Sequence, residues 1–365
     1  MTAEAKTASS ETTAVQSAPR RGLLRRLLWG LGLCLLGLLI TVLMLWAVLA
    51  ILLADTHSGP RRILAVMFVM VALAVALFVR PRRRLLLSFA ILFAAVLGWF
   101  FLLRPSNSRD WAPEVAQLPW ASIDGERLIV HNVRNFDYRS ETDFSPNWTD
   151  RSYDLSKLKT ADFMLVYWGS KAIAHAMVSF GFDDGQHLAI SIETRRERSE
   201  SYSALEGFFR QYELYYVFAD ERDVIRLRTN YRKEDVYLYR TTLTPGEARD
   251  VLLSYIRRAN SLKDRPDFYN ALTSNCATNV VEHAQDGKLP SKLSWEILLS
   301  GYAARQAYRN GRVDTSMPFE QLEARSRIND AALAADKDPD FSRAIRAGLP
   351  TPAKLAAMHQ PSAAE

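Results

Sequence analysis

HAMVSFGFDDGQHLAISIE, residues 175–193, is the stretch on which the fold turns. Ala176, Val178, Phe180 and Phe182 alternate with His175, Met177, Ser179 and Gly181. After Asp183-Asp184-Gly185, Leu188, Ile190 and Ile192 alternate with His187, Ala189, Ser191 and Glu193. Period-two patterning on both sides of a turn signal predicts a β-hairpin. A three-residue loop with glycine in the left-handed position pairs Phe182 with Gln186. Counting back along both strands then sets His175 opposite Glu193, with both on the face opposite the apolar one. A two-residue turn would set Thr194 there instead and break the alternation.

Working outward, RLIVHNVRNFDYRS (127–140) has strand-like stretches, SPNWTDRSYDLSKL is turn-rich, and ADFMLVYWG reads as a buried strand. YELYYVFADERDVIRLRTNY and EDVYLYRTTL extend the β pattern. TPGEARDVLLSYIRRANSL opens on Thr244 with Glu247 three later, a capping box, and Val251, Leu252, Tyr255 and Ile256 follow at helical spacing. SNCATNVVEHAQDG predicts a second helix starting at or after Cys276 and ending at Gly287. These readings place an α+β domain with an antiparallel sheet over residues 126–325. A linker over 105–125 precedes it and an Ala-rich tail over 326–365 follows.

Toward the N-terminus the composition changes. Leu27–Leu53, Ile63–Val79 and Leu85–Leu103 are almost wholly apolar. Each approaches the roughly 20 residues a helix needs to cross a bilayer. The region 23–104 therefore reads as three membrane spans, behind a disordered tail over 1–22. The run after RRGLLRR is too long for a signal-peptide core. Much of the net charge of +6 comes from Arg20, Arg21, Arg25, Arg26, Arg80, Arg82, Arg83 and Arg84, which flank the spans. That placement answers to membrane topology rather than to nucleic acid. The basic tail and the RPRRR loop are expected in the cytoplasm. Three spans then put the following domain in the periplasm of a bacterial inner-membrane protein.

The chain has two cysteines, Cys34 within the first apolar run and Cys276. In an oxidising compartment a thiol with no partner calls for a use. A helix start favours a thiolate, and a histidine serves as its base. His57 lies in the first membrane loop and His359 in the tail. His283, seven residues after Cys276, stands roughly 10 Å along the same helix. Of His131, His175 and His187, only His175 has a carboxylate across from it. Cys276, His175 and Glu193 are therefore the candidate nucleophile, base and orienting residue. The plainer readings remain a small buried cysteine, a structural histidine, and a Glu193 paired with Arg195 or Arg198. Tyr202, Arg222 and Arg226 are further candidates for lining a site. No P-loop, dinucleotide glycine pattern or zinc spacing is present, so no cofactor is expected.

AHAMVSFGFDDGQHLAISIETRRERSESYSALEGFFRQYELYYVFADERDVIRLRTNYR and PDFYNALTSNCATNV resemble the Lnb-type periplasmic domain family over roughly residues 120–300. The order His, Glu, Asn-Cys is also similar to circularly permuted papain-like (NlpC-type) proteins. The resemblance implies a papain-like thiol domain and a lipoprotein N-acyltransferase-like activity. Under it Cys276 is the nucleophile, His175 the general base and Glu193 the third residue. The Cys276 N–H and Asn275 would support an oxyanion. Phospholipid or lipoprotein is the implied substrate. In that family membrane segments follow the periplasmic domain, whereas here three spans precede it. A Cys–His hydrolase of envelope peptides and a non-catalytic membrane-tethered binding module are the rival functions.

Overall fold

The computed structural model describes residues 20–54, 60–289, 296 and 299–353. Residues 1–19 of the tail expected over 1–22, His57 and His359 lie outside the described residues, and 20–22 already belong to a helix. The chain divides into two compact units. The first holds helices α1 (Arg20–Leu53), α2 (Arg61–Phe78) and α3 (Arg82–Leu102), all long and apolar enough to cross a membrane. Their apolar side chains remain largely exposed, as expected of helices that turn them toward lipid rather than a protein core. Within this unit the Trp46 ring packs edge-on against Phe93 and Phe100, at 5.7 and 5.2 Å between centroids.

The second unit is a mixed α/β domain built on an antiparallel-dominated sheet. Strands β1 (Trp120–Asp124), β2 (Arg127–Arg134), β6 (Leu158–Tyr167), β7 (His175–Phe182), β8 (His187–Arg195), β9 (Glu213–Ala219) and β10 (Asp235–Arg240) run in the order β1-β2-β9-β8-β7-β6-β10. Strand β5 (Trp148–Asp154) also pairs with β2, and β3 (Asp137–Tyr138) pairs with β4 (Phe144–Ser145). Among the described residues the one parallel strand pairing is the bridge from Arg134 to Ala219.

The β7–β8 hairpin has the register its loop dictates. Gly185 sits at φ +84, the Phe182 N–H donates to the Gln186 carbonyl at 2.9 Å, and Met177 pairs with Ser191. Both faces of the sheet are covered. On one, Val178, Phe180, Leu188, Ile190 and Ile192 pack against Val251, Leu252, Tyr255 and Ile256 of helix α5 (Pro245–Asp264). On the other, Met177, Ala189, Val217 and Ala219 pack against Val224, Ile225, Ala332, Phe341 and Ile345. All eight positions of β7 are buried, so the more polar face expected from alternation is interior too.

Several segments differ from their expected roles. The stretch 105–125 is packed rather than a free linker: Trp111, Ala112 and Val115 are buried and β1 joins the sheet. The Ala-rich stretch after 326 supplies Ile328, Ala332, Phe341 and Ile345 to the core. SPNWTDRSYD contains strand β5 as well as turns. After β9 the chain does not continue as strand. It forms helix α4 (Glu221–Arg226), which runs into a π-helical turn, Leu227–Tyr231. Asp220 caps α4 by accepting from the Arg222 N–H, and Glu221 and Asp223 in its first turn suit the helix dipole.

Candidate active site

Cys276 is the first residue of helix α6 (Cys276–Asp286), held there by Asn275. The Asn275 side-chain oxygen accepts from the Ala277 and Thr278 N–H groups, both at 2.9 Å. The Asn275 N–H donates back to Thr278 Oγ1, closing a capping box. The Asn275 amide nitrogen donates to the Ala271 carbonyl at 2.8 Å. The side chain suggested as an oxyanion partner is thus engaged in fixing the helix start. The Cys276 N–H lies outside this cap, in the turn whose N–H groups a helix leaves unsatisfied.

His175 opens β7, and it and Cys276 shift each other's ionisation, with the Ala176 N–H also favouring the thiolate. His175 Nε2 lies 2.6 Å from Ser191 Oγ and 3.2 Å from Glu193 Oε1. Ser191 Oγ donates to Glu193 Oε1 at 2.7 Å. The register that faces Met177 with Ser191 brings Glu193 across from His175 two residues on. Glu193 does not pair with Arg195, which points to the Val115 and Ala116 carbonyls, or with Arg198, which faces Asp110. Its cation is Arg228, on the π-helical turn, at 2.8 Å; Arg228 also holds Glu234 at 3.0 Å.

The charges follow from these contacts. Burial alone would lower the His175 pKa, but the Glu193 carboxylate and the Cys276 sulfur outweigh it and push it up to about 9. Burial would raise Glu193, yet His175 and Arg228 hold it well below the usual carboxylate range. Burial would likewise raise the Cys276 thiol, and the facing His175 brings it below its ordinary value. A thiolate–imidazolium pair is what such an arrangement favours at neutral pH.

The other candidates lie elsewhere. His283 is buried between Tyr216 and Ser254, with ring nitrogens 2.7 and 2.8 Å from their hydroxyls. Burial pushes its pKa down to about 3, so it is neutral and structural. His131 stacks on Trp120 and faces Asp150, and His187 sits at the hairpin loop near the Gly185 carbonyl. Arg226 pairs with Asp336. The Arg222 N–H donates to Asp220 in the α4 cap. Tyr202, partly desolvated and raised in pKa by burial, feels the Cys276 and Glu193 charges and is the one aromatic candidate at the site. Among the described residues no group of three or more His, Cys, Asp and Glu could hold a metal ion.

Sequence reasoning missed Ser191, Arg228 and the Ala176 N–H. Ser191 was legible as the residue between the two strand partners on the same face. Arg228 was hidden because ERDVIRLRTNY continues the apolar pattern of β9, although Asp220 and the acidic turn after it mark a helix start.

Residues 144–301 match the family model described as the Lnb N-terminal periplasmic domain, a span that contains His175, Glu193 and Cys276. No curated protein and no solved structure matches the chain. The matched segment belongs to the Lnb N-terminal periplasmic domain family, and the chain is a membrane-associated protein that carries this periplasmic domain.

Proposed function

We propose that the domain is a thiol acyltransferase of the papain-like kind, anchored at the inner membrane with its site in the periplasm and acting on lipid or lipoprotein substrates. The observation that carries this reading is a helix-initial thiol whose ionisation is favoured by an imidazole that a carboxylate holds charged. In the first step the Cys276 thiolate attacks an ester carbonyl and the C–S bond forms. The oxyanion is met by the Cys276 N–H. The C–O bond then breaks and His175 gives its proton to the leaving alkoxide. The acyl group now stands as a thioester on Cys276. In the second step an amine attacks that carbonyl, His175 takes the amine proton, and the thiolate leaves. Glu193, through Ser191, keeps the imidazole oriented and stabilises its charged form. No step calls for a cofactor.

The test is mass spectrometry of the purified full chain after incubation with phospholipid. An acyl mass is expected on the native protein and absent from Cys276→Ser. Loss of that mass to an added amine, with an acylated amine as product, is the transferase outcome. Release to water alone would make the protein a hydrolase. No acyl mass on the native protein would overturn the thioester reading.

A further inference from the structure

Nine large apolar side chains of the sheet domain stand exposed among the described residues, and seven of them lie on four stretches that adjoin Cys276 and His175 or pack beside them. Trp168 and Ile173, 52% and 54% exposed, are on the loop that leads into His175. Leu272, 56% exposed, is on the turn that leads into Cys276. Tyr202, Leu205 and Phe208 are on the connection between β8 and β9. That connection is stitched to the turn before Cys276: the Ala271 N–H donates to the Gly207 carbonyl at 3.0 Å. A Cβ on Gly207 would meet the Tyr269 ring at 3.4 Å and Ala271 at 3.5 Å. The loop before His175 is tied to the stretch carrying the seventh, Leu299, through the Gly301 N–H on the Ala172 carbonyl at 3.1 Å.

The loops before His175 and Cys276 are tied by local hydrogen bonds, so the apolar exposure there is not forced by a poor fold. Ser170 Oγ accepts from the Ala172 N–H, and Asn270 Oδ1 accepts from the Leu272 and Thr273 N–H groups. An apolar surface gathered at one site marks a surface that is covered in use. Tryptophan and tyrosine, here Trp168 and Tyr202, are the side chains that settle at a lipid–water boundary, and Lys171 follows Trp168 on the same loop. The chain also carries its own means of staying near one. Its third membrane-length helix ends at Leu102, and the Ser106 N–H is already bonded to Glu213 of the folded domain, at 2.9 Å.

We propose that this apolar rim is a lipid-docking surface, which seats the Cys276–His175 end of the domain on the bilayer and admits substrate directly from it. The inference rests on the acyl-transfer reading for its purpose, and on the exposed side chains alone for the contact. Lipid insertion of the rim is tested without chemistry. The full chain carrying Cys34→Ser and Cys276→Ser is spin-labelled at Leu205→Cys or Leu272→Cys and reconstituted in phosphatidylethanolamine–phosphatidylglycerol vesicles. Labels at Leu333→Cys and Ile123→Cys, the two exposed apolar positions away from the rim, are the references. Power saturation should show the rim labels relaxed by oxygen in preference to a water-soluble nickel chelate, and the references the reverse. Rim labels as open to nickel as the references would overturn the proposal. So would rim labels shielded from both relaxants, which would mean that protein covers the rim.

A second measurement asks whether docking serves the site. Leu205→Ser with Leu272→Ser should lower Cys276 acylation from vesicle phospholipid about tenfold and leave Cys276 alkylation by iodoacetamide unchanged. Equal loss of both would mean that the rim residues hold the fold of the site rather than the bilayer. Absence of any acyl mass on the native protein counts against the thioester chemistry alone, because the insertion depth is read independently of it.

Discussion

Cys276 and His175 act on each other's charge, so the protonation of one favours or disfavours ionisation of the other. With His175 pushed up to about 9, the imidazolium persists through neutral pH and holds the thiol below its ordinary value. Iodoacetamide should therefore alkylate Cys276 at pH 7 at least several-fold faster than free cysteine, whose thiol ionises near 8.5. His175→Ala should bring the rate down to that of an ordinary or slower thiol, since the largest influence opposing burial is then gone. Equal rates in the two proteins would sink the ion pair. Glu193 is the charge that raises His175, so Glu193→Gln should drop the imidazole pKa by more than one unit, read by NMR titration of the ring. The sign is fixed: a raised histidine loses its proton as pH climbs through about 9 in the native protein, and through a lower value in the variant. How far this chemistry was legible is instructive. The hairpin loop alone sets the register that aims His175 at Glu193, because an Asp-Asp-Gly loop of three residues leaves one pairing compatible with the alternation. The contact to Cys276 spans about a hundred residues of sequence, and no local pattern encodes it.

Secondary-structure elements carry the second layer, and here the π-helical turn matters most. It inserts Arg228 between Glu193 and Glu234, where the guanidinium neutralises two carboxylates at 2.8 and 3.0 Å. π-turns of this kind often occur at functional sites. Arg228→Met would take this cation from Glu234 and leave Glu193 to His175. Removing one partner of a fully buried pair costs about 3–5 kcal/mol. Glu193 retains 30% side-chain exposure, so water shares the burden and a loss of about 2–3 kcal/mol is expected. A lowered urea midpoint of the detergent-solubilised full chain checks this, and an unchanged midpoint would mean that Arg228 holds nothing. The turn escaped sequence reading because Val224, Ile225 and Leu227 resume an apolar run after the charged Asp220–Asp223 and can be taken for more strand. Helix α6, by contrast, was legible from both ends: Asn275 caps it and Gly287 closes it, and the cysteine falls on the first residue between.

Across the whole domain, the piece least legible in sequence is the one that closes the sheet's second face. The stretch after residue 326 looks like a loose Ala-rich tail, since its apolar residues are few and their period is weak. Its partners lie far upstream. Arg346 donates to Asp162 on β6 at 2.8 Å and to both oxygens of Glu221 on α4 at 2.6 and 2.8 Å, and both carboxylates are fully buried. Ser179 of β7 donates to the same Glu221. Burial would raise Glu221, but Arg346 brings it down to about 2. A depressed carboxyl contributes stability that is complete above its unfolded pKa, near 4.3, and is lost as pH falls toward 2. Arg346→Ala removes the cation and leaves two buried carboxylates, at a cost of about 3–5 kcal/mol at neutral pH. In the variant burial is opposed only by the Ser179 hydrogen bond and the more distant His187, so the Glu221 pKa is expected to rise above its unfolded value and ionising it then opposes folding. The pH dependence must then reverse: the native protein weakens on acidification from pH 6 to 4, if it changes at all, while the variant regains part of its lost stability. Urea unfolding of the solubilised full chain at the two pH values reads this directly. A variant that weakens in parallel with the native protein would show that the C-terminal stretch does not neutralise the sheet's buried charge.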